Sequence, residues 1–298
     1  MTTETARSRP ASAAASPAFG TQTFWRVLRY LIALVAAIAF AMPFLWTIGT
    51  SLKPLTDLYT FPPTFVPSTP RWQNYGDVFA LAPFGRFLIN SVIVTALAVF
   101  GQTFSTAIVA FGFTRFRFPG RNMLFFVVLA TMMLPWHVTI VPSFLLFRYL
   151  GWIDTLLPLI VPSFFAVSAF SIFLLRQFFM TIPRDLDEAA RIDGATSFHI
   201  FWRIILPLSK VALATVAIFA FIDHWNEFIG PLIYLNSTDL YTVSLGLRYF
   251  IVTPFEGDEP REAILMAASL IVALPPLVLF FAAQKYFVQG IVTTGMKG

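Results

Sequence analysis

The chain has no cysteine among its 298 residues, which removes disulfides and thiolate metal ligands. Charge is scarce too: 12% of residues are Asp, Glu, Lys or Arg, against about a quarter in an ordinary soluble domain. The three histidines, His137, His199 and His224, are far apart and belong to no HExxH, so no metal site is expected. There is no GxxxxGK[ST] phosphate loop to cradle a nucleotide and no GxSxG elbow to present a serine nucleophile, so no catalytic residue is assigned. No basic stripe with interleaved aromatics points to nucleic acid.

What the chain has instead is apolar length. Hydrophobic residues make up 57% of it and its mean hydropathy is +0.76, a composition made for lipid. A helix crossing about 30 Å of hydrocarbon at about 1.5 Å per residue needs roughly 20 mostly apolar residues. About six stretches qualify, near 30–52, 88–113, 122–147, 155–175, 208–235 and 263–284. They are continuous runs rather than short alternating strands, which excludes a closed barrel. The expected fold is an all-α membrane protein with about six transmembrane helices.

Lys and Arg orient it. With the amino terminus inside, fourteen of the twenty fall on the cytoplasmic side, and six remain outside: Lys53, Arg71, Arg86, Arg148, Arg248 and Arg261. That asymmetry satisfies the positive-inside rule and places both termini in the cytoplasm. Residues 1–23, rich in Ala, Ser, Thr and Pro, cannot bury a core and are expected as a disordered cytoplasmic tail, with 24–298 forming the membrane domain. The loop at 53–87 is long and Pro-rich, and "TRFRFPGR" at 114–121 reads as a tight cytoplasmic hairpin.

One cytoplasmic stretch, about 183–207, has a different character. Pro183 suits a first helical turn, and Asp185, Asp187 and Glu188 favour the positive end of that helix's dipole. Asp187 and Arg191, four apart, are spaced to pair along its surface. Gly194 is expected to end this helix in the left-handed conformation, and Thr196 or Ser197 to cap a second one carrying Phe198, Phe201, Trp202, Ile204 and Ile205 before Pro207. Ala189 and Ala190 leave the first helix nearly bare, so another surface has close access to its backbone. The physics alone allows either docking to a partner or burial of the aromatic half in the headgroup layer.

The spacing decides between these. Glu188, Ala189, Ala190, Gly194, Ile204, Leu206 and Pro207 match the Glu-Ala-Ala, three residues, Gly, nine residues, Ile, one residue, Leu-Pro signature, and so the chain resembles the membrane subunits of ATP-binding-cassette importers. It is further similar to carbohydrate permeases of the maltose-transporter type through "NSVIV" (90–94), "RFRFPGR" (115–121), "LPWHVTIVPSF" (134–144), "LGWIDT" (150–155), "IPRDLDEAARIDGA" (182–195), "WNEFIGPLIYL" (225–235) and "QKYFVQGIVTTGMKG" (284–298). The resemblance implies a type I importer permease fold in the plasma membrane with a cytoplasmic coupling helix. It implies a second, different permease, a homodimeric cytoplasmic ATPase that holds the ATP and Mg, and an extracytoplasmic sugar-binding protein as partners, with no cofactor bound by this chain. The residues of the signature, together with Asp193, would contact the ATPase. A tail including Gln289, Gly290, Gly295 and Lys297 would reach the interface between the ATPase subunits, since "QGIVTTGMKG" is too polar to continue the sixth span.

Asp223, His224, Asn226 and Glu227 fall near the middle of the fifth apolar stretch. A charge at mid-bilayer costs roughly 2.5–3.5 kcal/mol on insertion scales, so such groups face a bundle interior or an aqueous cavity. In one continuous helix Asp223, Asn226, Glu227 and Gly230 would share a face. That face, with Trp225 available to stack on a sugar ring, is expected to line the translocation pathway or to bond to the partner permease. A rival reading makes Asp223, His224 and Glu227 the proton relay of an ion-coupled secondary transporter.

Overall fold

The computed structural model describes residues 19–252 and 261–295, and among them every regular element is helical. The main ones are α1 (Phe19–Ser51), α2 (Gln73–Leu81), α3 (Phe84–Arg115), α4 (Arg121–Thr131), α5 (Trp136–Tyr149) and α6 (Ala169–Thr181). These are followed by α7 (Asp185–Ile192), α8 (Ser197–Leu208), α9 (Lys210–Asn226), α10 (Ile229–Tyr234), α11 (Val243–Val252) and α12 (Glu262–Gly295). Residues 1–18 of the expected tail lie outside the described residues, while the remainder of that segment, from Phe19, already belongs to α1.

Four helical stretches among the described residues are long and apolar enough to cross a membrane: Thr23–Ser51, Phe84–Arg115, Leu157–Thr181 and Glu262–Gln284. The α8–α9 pair makes a fifth, bent by 79°. The remaining expected span, 122–147, is divided into α4 and α5. Pro135 caps α5 with ψ 127°, and a proline both lacks an N–H and pushes the residue before it out of the helical region, so the run cannot continue through Leu134.

Helix α3 is the axis of the bundle. Ala98, Gly101, Gln102, Ser105, Thr106, Ala107 and Ala110 make a buried stripe of small and polar side chains along it, which lets α6 and α9 approach closely. At Gly101 an added Cβ would lie 2.5 Å from the Phe164 ring. Two buried clusters sit at opposite ends of α3. Phe84 and Phe87 pack with Val78, Trp225, Val243, Phe250 and Ala267 at one end, and Ala107, Ala110 and Phe111 pack with Leu175, Phe179, Ile200, Phe201 and Ile205 at the other.

The fourth span breaks between a 3-10 turn, Val161–Phe165, and α6, where Ala166 takes φ +52°. Backbone groups inside a bilayer have no water to turn to. Here Ser105 supplies both needs, its Oγ accepting from the Ala166 N–H at 3.1 Å and donating to the Ser163 carbonyl at 3.0 Å. In α12, Pro275 and Pro276 are carried inside the helix, and the backbone stays helical to Gly295, past the point where polarity was expected to stop it. Gln289, Gly290 and Gly295 therefore lie on helical backbone, and Lys297 lies outside the described residues.

Candidate functional site: a docking helix fastened to the central helix

Helix α7 forms as its sequence directs, with Asp185, Asp187 and Glu188 in its first turn and Arg191 in its last. Gly194 ends it with φ +82°. The Gly194 N–H donates to Arg191 O at 3.0 Å and the Ala195 N–H to Ala190 O at 2.8 Å, the paired bonds of a Schellman closure. Of the two expected caps for the next helix, Thr196 is the one used, its Oγ1 accepting from the His199 N–H at 3.4 Å. Within α8, Phe201–Ile205 winds as a π-helix.

The unit has two sides. Ala190, Ala195, Ile204 and Leu206 pack against the buried cluster of Leu175, Phe179, Ile200, Phe201 and Ile205. Glu188, Ala189, Asp193, Gly194 and Pro207 are exposed. So are three apolar side chains that the signature does not contain: Leu186, Ile192 at 86% exposure, and Phe198. Ile192 is the most exposed large apolar side chain on α7. Six residues after Leu186 and about 120° round the helix from it, Ile192 shares no face period that could have marked it in the sequence before the inward face of α7 was known.

Asp187 shows why it was not. Rather than pairing along the surface with Arg191, it turns inward, its Oδ2 2.7 Å from Arg115 Nε at the end of α3, with both side chains nearly buried. The Nε–H is not aligned to donate, and Asp187 Oδ1 has no hydrogen-bond partner, so this is a contact of charges rather than a forked pair. Burial pushes the Asp187 carboxyl above its ordinary range in spite of the attraction of Arg115, Arg191 and Arg184. Two further bonds fasten the same junction: Arg115 Nη2 donates to Ile182 O at 3.2 Å, and Arg184 Nη2 donates to Thr114 O at 2.8 Å, a cation on the carbonyl end of α3. These contacts fasten the α7 junction to the end of α3.

The polar residues expected at mid-span gather instead at a helix end, because α9 stops at Asn226 and Glu227 is extended. Asp223, Asn226, Glu227 and Gly230 consequently do not share one helical face. Asp223 and Asn226 are exposed. Trp225 is turned the other way, buried, stacked on Phe221 and donating its indole N–H to Val272 O at 3.0 Å, so it offers no face to a ring-shaped ligand. His224 Nε2 lies 3.1 Å from Gln102 Oε1 on α3. Glu227 caps α10, Oε1 accepting from the Gly230 N–H at 2.8 Å. We expect Glu227→Ala to speed amide exchange at Gly230 by about 2- to 30-fold, the range a lost cap of about 0.5–2 kcal/mol implies, with membrane insertion unchanged. Glu227→Gln retains an acceptor and should exchange nearly as slowly as the parent. Equal rates in all three proteins would remove the capping role.

Residues 102–293 match the family described as binding-protein-dependent transport system inner membrane component. The sn-glycerol-3-phosphate transport system permease protein UgpE of Yersinia enterocolitica is 35% identical over 243 residues, 80% of this chain and 85% of that protein. The UgpE of Escherichia coli O1:K1 is 35% identical over 268 residues, 88% of this chain and 93% of its own length. Among solved structures, a bacterial ABC transporter involved in the import of the acidic polysaccharide alginate superposes with a TM-score of 0.80 at 24% identity, covering 90% of this chain and 98% of that one. The fold is that of the ABC importer permeases.

Proposed function

Because this chain belongs to the binding-protein-dependent transport system inner membrane component family, we propose that α7 is the coupling helix through which a partner ATPase drives import of a sugar or a related small solute. The chain is a membrane-spanning translocation subunit of an ATP-driven importer and a multi-pass protein of the plasma membrane. Hydrolysis, with its ATP and Mg, belongs to a cytoplasmic ATPase dimer, and solute arrives on an extracytoplasmic binding protein. A second, different permease completes the pathway, facing the exposed Asp223 and Asn226. The end of the bundle that carries α7 and the arginines of 114–121 is cytoplasmic, as are both termini.

The observation that carries this reading is the α7 unit: an exposed face of Leu186, Glu188, Ala189, Ile192 and Asp193 on a helix whose other side is fastened to α3 by Asp187 and Arg184. A proton relay is not favoured, since His224 is engaged with Gln102 and Glu227 with a backbone amide. The test is to purify the chain with its partner permease and ATPase in lipid nanodiscs. Stable co-elution, and ATP hydrolysis stimulated by loaded binding protein, are expected. Solute uptake by this chain alone, driven by a proton gradient, would overturn the proposal.

A further inference from the structure

The hairpin that joins α3 to α4 carries charge of one sign only. Between residues 78 and 184 the chain has a single acid, Asp154, and that one is bonded elsewhere, to the Asn236 and Ser237 N–H groups. In the hairpin Arg117 and Arg121 line a cavity of about 330 Å³ with Phe118, Gly120, Asn122 and Met123. Arg121 is steadied there by donating from Nη1 to Phe116 O at 3.3 Å. Arg176, from α6, stands beside them. Its guanidinium lies 4.1 Å from the centre of the Phe125 ring, one turn along α4 from Arg121, and near enough to Arg121 to be repelled by it.

None of these three arginines has an ion-pair partner among the described residues. The Arg176 Nε is buried and has no hydrogen-bond acceptor, and a ring face compensates a cation much less than an anionic oxygen does. Of the acids outside the described residues, Glu256, Asp258 and Glu259 lie in sequence between α11 and α12, whose facing ends belong to the buried cluster at the far end of α3. Only Glu4 is assigned to this side. The depth of the cluster is also defined: Arg117 and Arg121 follow directly on the span Phe84–Arg115, and Arg176 is inside the last turns of the span Leu157–Thr181. Immediately beyond the cavity the surface turns apolar, with Met123, Leu124, Phe126 and Val127 exposed along α4.

We infer that this cluster is a site for an anionic phospholipid, whose phosphodiester is taken by Arg117, Arg121 and Arg176 and whose acyl chains lie on the exposed side of α4. Phosphate oxygens are the acceptors that guanidinium groups match best, and they form charge-assisted hydrogen bonds. The neighbouring apolar surface suits a ligand with a tail, which a free phosphate lacks. A water-soluble partner has access to Arg117 but not to Arg176, which is set within a span. That the lipid belongs to the cytoplasmic leaflet rests on the orientation proposed above, whereas the chemistry of the site does not.

The experiment uses the whole permease–ATPase complex, equilibrated with equal amounts of phosphatidylglycerol and phosphatidylcholine, and reads the ratio of the two lipids retained by native mass spectrometry. The parent should retain phosphatidylglycerol in preference. Arg121→Gln combined with Arg176→Gln should lower the ratio by about tenfold or more, the scale of two lost charge-assisted contacts at a membrane surface. Arg203→Gln, which removes a charge from the same side outside the cluster, should leave it unchanged. Arg117→Gln, on the exposed hairpin, should lower the ratio as well and serves should the double variant fail to assemble. Equal ratios in parent and cluster variants would overturn the assignment, and so would an equal fall in Arg203→Gln, since the attraction would then be diffuse. A rise of about tenfold in Glu4→Gln would assign the arginines to a carboxylate of this chain instead. Loss of the ATPase or the partner permease from Arg121→Gln with the lipid ratio intact would make the cluster a protein contact. Inorganic phosphate that displaces the retained phosphatidylglycerol and binds alone in phosphatidylcholine nanodiscs would make it a free-ion site. Stimulation of hydrolysis by loaded binding protein, measured on the same sample, reports on the importer separately.

Discussion

Asp187→Ala should abolish most coupled transport while all the membrane spans remain inserted. The substitution leaves Arg115 nearly buried without its counter-charge, and removing one member of a buried pair costs about 3–5 kcal/mol. The cheapest relief is for α7 to lift away and let water reach the guanidinium. Amide exchange across 185–195 should then rise to near the unprotected rate, and stimulated ATPase activity should fall more than about tenfold. The pair is poorly compensated in the parent, with Asp187 Oδ1 lacking a hydrogen bond and the carboxyl shifted upward by burial. Replacing both residues, Arg115→Met with Asp187→Leu, should therefore restore protection of α7 to a large degree. Full exchange protection and full uptake in Asp187→Ala would show that the fastening lies elsewhere in the junction.

Gly194→Val should uncouple by a different physical route. A Cβ at Gly194 would meet nothing within 4 Å, so space inside the chain is no obstacle. The obstacle is φ +82°, which a β-branched residue adopts at a cost of about 1–3 kcal/mol. That is small beside the burial of the spans and large beside a two-bond Schellman closure, so the closure opens and α7 points elsewhere. Gly194→Asn should be milder, because asparagine tolerates the left-handed region. The discriminating measurement is co-elution of the ATPase followed by stimulated hydrolysis: Val should lose stimulation even where some ATPase is retained, and Asn should keep most of it. Equal losses for Val and Asn would mean that bulk against the partner, not backbone conformation, governs this position.

Much of the fold was legible because lipid imposes a length on every span, and apolar runs of that length stand out. The closure at Gly194 and the cap at Thr196 were legible because both are local, set by residues within one turn. What stayed hidden depends on residues far apart in the chain. The break at Ala166 carries no glycine or proline of its own and exists because Ser105, sixty-one residues earlier, satisfies the exposed backbone. Asp187 has a plausible surface partner four residues away and a real one seventy-two residues back, a choice made by tertiary packing. Trp225 and Glu227 read as pathway groups under the assumption of one continuous helix, and the end of α9 at Asn226 removes that assumption. Leu186 and Ile192 were passed over because apolar residues are unremarked in so apolar a chain.

The π turn at Phe201–Ile205 has a consequence for chain length. Pro207 has no N–H to offer the carbonyl four residues behind it, and the wider turn before it accommodates one more residue than an α-helix would. Each residue of α-helix advances the chain by about 100°. Removing one residue from this turn would let it tighten into ordinary α-helix with its hydrogen bonds kept, and because five residues of the wider turn sweep nearly the same angle as four of α-helix, α9 would keep almost its present facing. The extra residue thus lets the chain keep nine residues between Gly194 and Ile204 without turning α9 out of its packing, so a deletion within Phe201–Arg203 would cost the docking signature its spacing before it cost the bundle its fit.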